Sequence, residues 1–114
     1  MDRKGEIIKY LTRKEELVLL AIFRMEEEAY LVNIREFLNI HTGKRWTVGN
    51  VYVPLDRMTK LGYLDSYIGP SNAKRGGKAI KYYKLSRKGY EALLEVRKVN
   101  EVMWEGFDRL AFEE

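Results

Sequence analysis

The sequence predicts a mainly α-helical fold that contains one small antiparallel β-hairpin. Three stretches between residues 13 and 61 repeat apolar residues at helical spacing, and two short segments after residue 63 have the composition of strands. A long amphipathic stretch then closes the chain. The order helix, helix, helix, strand, loop, strand, long helix is that of a winged helix-turn-helix followed by a C-terminal helix.

The first two helices are predicted from their end signals as well as their apolar spacing. Thr12 and Glu15 form a capping-box pattern before the run LVLLAIF, so the first helix is expected over residues 13–25. The second helix is expected to begin at residue 30 or 31 and to end at residue 41, because Gly43 follows as a C-terminal cap. Leu17, Leu20, Ala21 and Arg24 recur at helical spacing in the first helix, and this spacing indicates the face that packs in the core.

The third helix is predicted to start after Thr47 as its N-cap, to continue to residue 61 and to end at Gly62. Pro54 lies inside it and removes one backbone hydrogen bond, so we expect a kink or a local distortion there. The expected buried stripe is Val51, Leu55, Met58 and Leu61.

Two strands and a final helix complete the prediction. The strands are expected over residues 64–68 and 80–85, and the loop GPSNAKRGGKA between them is polar and rich in glycine. Ser86 is the predicted N-cap of a helix that runs from residue 87 to about residue 112. Such a helix would approach roughly 40 Å, longer than a core this small can cover, so we expect a partner to bury the excess.

Length and composition indicate one folded domain, since 114 residues with 46% hydrophobic and 33% charged side chains are ordinary for a globular protein. We divide it into an N-terminal arm (1–11), a winged-helix domain (12–86) and a C-terminal dimerisation helix (87–114). No apolar window has the length of a membrane span and the N-terminus does not resemble a signal peptide, so a cytoplasmic location is expected. The absence of cysteine excludes disulfides and thiolate metal sites.

Charge is distributed unevenly along the chain. Residues 43–90 contain eleven Lys or Arg and two Asp, a net charge of +9, whereas the remaining residues contain ten basic and fifteen acidic side chains, a net charge of −5. One part of the molecule is therefore suited to a polyanion that the other part would repel.

These positive charges coincide with the elements that a winged helix uses to bind DNA. The third helix of that fold enters the major groove, and the hairpin lies along the backbone or the minor groove. The helix N-terminus can face a phosphate, an asparagine can read adenine, and a valine can touch a thymine methyl group. The residues predicted to contact DNA are Lys44, Arg45, Thr47, Asn50, Val51, Tyr52, Val53, Arg57, Lys74, Arg75, Lys78 and Lys81.

The hairpin admits a second interpretation. No acidic residue occurs between Ser66 and Tyr90, so its lysines could simply protect an exposed sheet edge from aggregation, although their number exceeds what edge protection needs. Tyr82 and Tyr83 alternate across the second strand, so one is expected to pack against the third helix while the other faces DNA or solvent.

Two strings of the sequence, RWTVGNVYVPLDRMTKLGYLDSYIG and RGGKAIKYYKLSRKGYEAL, resemble the PadR family of transcriptional regulators. The resemblance covers roughly residues 15–94 and includes the first two helices. In the family pattern, a recognition helix with the motif W-x-x-G-x-x-Y-x-x-L-x-R-L comes first and a strand follows it. A wing with Gly-Gly and a Tyr-Tyr pair comes next, and then the start of another helix. The matching positions are Trp46, Gly49, Tyr52, Leu55, Arg57, Met58, Gly62, Tyr63, Leu64, Gly76, Gly77, Tyr82, Tyr83, Leu85, Ser86 and Gly89.

The resemblance implies a homodimeric repressor that binds a pseudo-palindromic operator in double-stranded DNA and is relieved by a small hydrophobic or aromatic effector. It also implies dimerisation through the single C-terminal helix, as in the short subgroup of the family. Met103, Trp104 and Phe107 are candidate effector contacts, with plain interface packing as the alternative. The predicted dimer interface is Leu93, Val96, Val99, Met103, Trp104, Phe107 and Leu110.

Other classes of function find little support in the sequence. His41 is the single histidine and has no cysteine near it, no carboxylates are paired, and neither a GxSxG nor a P-loop string occurs. We therefore expect no metal site, no cofactor and no enzymatic activity. Two alternatives to DNA binding remain, a winged helix that binds an acidic protein and a winged helix that binds RNA.

Overall fold

Three helices precede the hairpin and one follows it in the computed structural model, which describes residues 11–69 and 79–110. Short 3₁₀ segments, Glu26–Glu28 and Phe107–Leu110, lie after the first and the last helix. The predicted fold class is confirmed. The elements are α1 (Arg13–Met25), α2 (Leu31–Thr42), α3 (Val48–Lys60), β1 (Leu64–Gly69), β2 (Ile80–Leu85) and α4 (Arg87–Trp104). No helix among the described residues is both long and apolar enough to cross a membrane.

The core lies where α1, α2 and α3 meet above the first residue of β1. In α3 the predicted stripe is confirmed at Val51, Leu55 and Met58, while Leu61 is half buried. The helix is continuous through the buried Pro54. The largest fully buried side chains are Val18, Leu19, Ile22, Ile34, Leu38, Val51, Leu55, Met58 and Leu64.

The buried face of α1 differs from the predicted one. The helix buries Val18, Leu19, Ala21 and Ile22 and leaves Leu20 exposed. The run LVLLAIF is apolar on every side, so its spacing alone could not select the face that meets α2 and α3. A second apolar face of α1 therefore remains at the surface.

A buried carboxylate joins α1 to α3. The Oε1 atom of Glu15 accepts a hydrogen bond from the backbone N of Thr12 at 2.8 Å, and the Thr12 hydroxyl accepts one from the Glu15 N at 3.1 Å, which confirms the predicted capping box. The Oε2 atom accepts a hydrogen bond from Nη1 of Arg57 in α3. One side chain thus caps α1 and fixes α3 against it.

The hairpin is tied to the segment between α1 and α2. Its strands pair antiparallel from Leu64 opposite Leu85 to Gly69 opposite Ile80. The backbone N of Tyr83 donates to the carbonyl of Ala29 at 2.9 Å, which extends the pairing beyond the two strands. The hairpin therefore has a fixed position relative to the helices.

The two tyrosines of β2 face opposite sides, and Tyr83 is the one in the core. Burial raises the pKa of the Tyr83 phenol, and the neighbouring Tyr52 and Asp56 of α3 shift it in the same direction. Tyr82 is half buried between Tyr67, at a ring-centroid distance of 5.6 Å, and Tyr30, also at 5.6 Å. The prediction that one of the pair packs against α3 is confirmed for Tyr83. Tyr82 packs against the rings of Tyr30 and Tyr67 and is not fully exposed.

The first turn of α4 closes against the end of α3. Ser86 caps α4 as predicted, by accepting a hydrogen bond from the Gly89 N, and its hydroxyl donates to the carbonyl of Gly62 at 2.6 Å. Lys88 donates from Nζ to the carbonyl of Leu61 at 3.0 Å. A Cβ atom on Gly89 would lie 2.2 Å from the carbonyl oxygen of Tyr63. This joint requires a glycine at position 89.

The predicted end of α4 near residue 112 is wrong, because the helix ends at Trp104. Glu105 leaves the helical region with ψ 132°, and Gly106 adopts a left-handed φ of 82°. Glycine enters that region at little cost, so it commonly terminates helices. The helix has 18 residues and therefore a length of about 27 Å, well short of the length predicted.

Gly89→Ala is expected to destabilise the protein by about 1–3 kcal/mol, because the new methyl group forces α4 away from the Tyr63 carbonyl. Chemical denaturation measures this change. Gly49→Ala is the matched control, since a Cβ atom there meets no atom closer than 4.0 Å. Equal stabilities of the two variants would contradict the described packing.

Arg57→Met is expected to lower the free energy of unfolding by about 2–3 kcal/mol, because it leaves the Glu15 carboxylate buried without its ion pair. The double variant with Glu15→Gln should regain part of that loss. The control is Arg87→Met, which removes an exposed pair with Glu91 at 3.3 Å and should change stability by less than about 1 kcal/mol. An Arg57→Met protein as stable as the parent would refute a structural role for the pair.

Candidate nucleic-acid interface

Trp46 fixes the turn between α2 and α3. Its backbone N donates to Oδ1 of Asn39 at 2.7 Å, and its indole Nε1 donates to the Thr42 hydroxyl at 3.0 Å. Its carbonyl accepts a hydrogen bond from Nε of Arg35 at 2.7 Å. All three polar groups of this buried residue are therefore bound to α2, two residues before α3 begins.

The Thr42 hydroxyl connects further groups of the same turn. It donates to the carbonyl of Leu38 at 2.6 Å and accepts from the backbone N of Lys44 at 3.2 Å. Gly43 reverses the chain with φ 72°, as the predicted cap requires. The sequence interpretation missed Arg35, Asn39 and Thr42 as positioning residues. The sequence does not show whether a polar side chain on a helix will bind a residue of a neighbouring turn or element.

The first two turns of α3 present an exposed face. Thr47 is the N-cap, as predicted, and its hydroxyl accepts a hydrogen bond from the Asn50 N at 3.0 Å. Tyr52 and Val53 are exposed, as is Val48, which the prediction did not include. Asn50 is half buried at the border of this face.

Two residues predicted to contact DNA have other roles in the structure. Val51 is fully buried among the core residues, so its side chain is not available to any ligand. Helical spacing had placed it in the buried stripe as well, and that assignment is the correct one. Arg57 forms the ion pair with Glu15, which occupies its charge within the fold.

Exposed cations lie next to the exposed face of α3 in the sequence and on the hairpin. Lys44 and Arg45 immediately precede Trp46 in the turn before α3, and both are exposed. Lys81 and Lys84 are exposed on β2, where the Lys81 Nζ lies 5.8 Å from the centroid of the Tyr83 ring. The predicted contacts Lys74, Arg75 and Lys78 lie outside the described residues.

The predicted interface residues of α4 divide into two groups. Leu93 is buried in the core of its own chain and Val96 is half buried, so these two serve the fold first. Val99, Met103 and Trp104 are exposed, Met103 by 76% and Trp104 by 61%. Beyond α4, exposed Phe107 packs edge-on against Trp104 at a ring-centroid distance of 4.9 Å, and Leu110 ends the 3₁₀ segment.

A cavity of about 250 Å³ opens between α1 and α4. Its apolar lining includes the exposed Leu20, Phe23 and Leu94, and Glu16 and Arg97 contribute opposite charges. The candidate effector contacts Met103, Trp104 and Phe107 do not line it. The sequence interpretation missed this groove, because it assigned Leu20 to the core.

His41 has a packing role in the described structure. Its ring lies 4.1 Å from the ring of Phe37, one turn earlier in α2, and the Arg24 guanidinium lies 5.4 Å from the centroid of the same phenylalanine ring. The histidine therefore covers an apolar surface at the end of α2.

Comparison with solved structures identifies proteins of the same fold, whereas no family model and no curated protein matches this chain. A PadR-like transcriptional regulator from Bacillus cereus superposes with a TM-score of 0.71 at 27% identity, covering 88% of this chain and 92% of that one. A PadR-like transcription factor from Bacteroides fragilis gives 0.68 at 26% identity, covering 87% and 93%. A PadR-family regulator from Eggerthella lenta gives 0.67 at 25% identity, covering 90% and 87%.

These alignments cover 87–90% of this chain, so the similarity concerns most of the fold and not one motif. The turn at Trp46, the tyrosine pair of β2 and the glycine at the start of α4 are the places where the sequence motif and the packing coincide. The resemblance found in the sequence is therefore confirmed: the chain has a winged-helix fold, and several solved structures that are similar to it are PadR-family transcriptional regulators.

Proposed function

We propose that this chain is a DNA-binding transcriptional regulator that acts as a homodimeric repressor on a pseudo-palindromic operator. One observation carries the proposal: the Trp46 turn fixes the position of α3, whose first two turns are exposed, and the exposed Lys44 and Arg45 lie in that same turn. The similar structures are those of PadR-like transcriptional regulators, which favours the same class for this chain.

The exposed elements match what duplex DNA offers. An α-helix fits the major groove, and the unpaired backbone NH groups at its start favour a phosphate. In the proposed complex, Lys44 and Arg45 contact the backbone where α3 enters the groove, while Asn50 and Tyr52 reach base edges. Lys81 and the basic residues 74, 75 and 78 of the hairpin contact the flanking backbone.

Exposed apolar surface supports the proposed dimer. The groove between α1 and α4 and the end of α4 expose Phe23, Leu94, Val99 and Met103, side chains that a stable monomer would ordinarily cover. A second copy related by a twofold axis would cover both regions and set two α3 helices about 34 Å apart, one turn of DNA. A small hydrophobic effector would bind beside Trp104 and Phe107 and change that spacing.

Binding to duplex DNA is expected to weaken steeply with salt, because each phosphate contact contributes roughly −0.9 to the slope of log K against log salt concentration. Fluorescence anisotropy with genomic fragments, followed by structured RNA as a competitor, measures this. Lys44→Ala with Arg45→Ala should reduce the slope by about 2. The control pair, Lys14→Ala with Lys98→Ala, removes two exposed lysines from α1 and α4 and should leave the slope unchanged. A duplex affinity insensitive to salt, or stronger competition by RNA, would reject the proposal.

Phe23→Glu with Val99→Glu is expected to convert the dimer to a monomer, because both changes place charges in the apolar surface that the second copy would bury. Light scattering after gel filtration should then give 13.5 kDa instead of twice that mass. Ile40→Glu is the control, an exposed apolar residue of α2 outside the groove. A parent protein that is already monomeric at micromolar concentration would contradict the proposed dimer. A ligand response retained in Trp104→Ala would exclude the effector site.

A further inference from the structure

The exposed face at the start of α3 is apolar. Val48, Tyr52 and Val53 are exposed there, and Gly49 lies between them without a side chain. Among residues 48–53, the Tyr52 hydroxyl is the one hydrogen-bonding group on an exposed side chain, since Asn50 is half buried. A face of this kind is poorly supplied for the bidentate hydrogen bonds by which arginine, asparagine or glutamine identify a base.

Gly49 has no explanation within the fold. Its φ is not left-handed, and a Cβ atom would meet nothing closer than the Thr47 hydroxyl at 4.0 Å. Glycine is also the least favourable residue inside a helix apart from proline. By contrast, Gly89 is required by the Tyr63 carbonyl. A residue that costs helix stability and fills no internal need is explained when another molecule approaches the helix backbone at that point.

The charge around this face selects the class of that molecule. Lys44 and Arg45 are exposed in the turn before the helix, and residues 43–90 carry a net charge of +9. A polyanion is therefore attracted to the position where the apolar face lies. The major groove of DNA combines both properties, since it is lined by phosphates and displays an apolar group, the C5 methyl of thymine.

We propose that Val48 and Val53, with the ring of Tyr52, select DNA by contact with thymine methyl groups in the major groove, and that Gly49 admits the base edges to the helix. This inference rests on the proposed function and adds a specificity mechanism to it. Val48 and Gly49 become specificity-determining residues, in addition to the hydrogen-bonding Asn50.

The test compares duplexes that differ only in the methyl group. Alternating dA–dT and dA–dU duplexes of equal length have the same minor groove and the same backbone, and uracil lacks only the C5 methyl. We expect the dA–dT duplex to bind more tightly, by roughly fourfold for each methyl group contacted, as burial of one CH₂ group implies. A duplex of dI and 5-methyl-dC should likewise bind more tightly than one of dI and dC.

Two variants separate methyl contact from general affinity. Val48→Ser with Val53→Ser removes both methyl groups of each valine and should bring the thymine-to-uracil ratio close to one. Val102→Ser is the matched control, because Val102 on α4 is 65% exposed and Val53 is 63% exposed. Gly49→Ala should raise Tm by roughly 2–6 °C, because alanine restricts the unfolded chain, yet it should weaken binding to the dA–dT duplex.

The outcomes distinguish this inference from the function on which it rests. Salt-dependent binding with equal affinity for dA–dT and dA–dU overturns the methyl contact and leaves a DNA-binding regulator. Failure to bind any duplex at low salt overturns both and favours a protein partner for the apolar face. A thymine preference that survives Val48→Ser with Val53→Ser removes these valines from base selection.

Discussion

The attachment of Trp46 to α2 is the constraint on which the exposed face of α3 depends. A turn of a few residues between two helices can adopt many conformations. In this chain Trp46 donates two hydrogen bonds and accepts a third, and together they fix one conformation. Because the partners Arg35, Asn39 and Thr42 all lie on α2, the direction of α3 follows from that helix. The Glu15–Arg57 pair then holds the far side of α3 to α1. The exposed face of α3 is thus positioned by groups that do not belong to it.

The positive charge of the chain has two uses that the sequence does not distinguish. Of the eleven Lys and Arg in residues 43–90, Arg57 pairs with Glu15 and Lys88 binds the carbonyl of Leu61. Lys60 lies 3.0 Å from Asp56, whose hydrogen bond and charge raise the pKa of the lysine. The charge available to a polyanion is accordingly smaller than the net +9, and it is concentrated before α3 and along the hairpin.

The sequence predicted the elements well where local chemistry determines them. Thr12, Gly43, Thr47 and Ser86 mark helix ends through their own backbone or side-chain hydrogen bonds, and each occupies its predicted position. The end of α4 was missed although Gly106 signals it, because the apolar spacing continues through Phe107 and Leu110.

Features that depend on distant partners were not predictable in the same way. Arg57 had the charge and the helix of a DNA contact, and its partner lies 42 residues earlier in the sequence. The exposed face of α1 was hidden by a run that is apolar on all sides. Val51 lies on the helix that was predicted to contact DNA, but its side chain is fully buried and contributes only to the core.

The joint between α3 and α4 makes the positions of these helices independent of the length of the hairpin loop. Lys88 and Ser86 bind the carbonyls of Leu61 and Gly62, so the two ends of the hairpin are fastened together at its base. The entropic cost of closing a loop grows only slowly with its length, by about 0.6 kcal/mol for each doubling. The segment between β1 and β2 can therefore gain or lose residues with little loss of stability. The length of the hairpin can therefore change without a change in the geometry of the helices. The same arrangement of helices can then serve binding sites that differ in their flanking sequences.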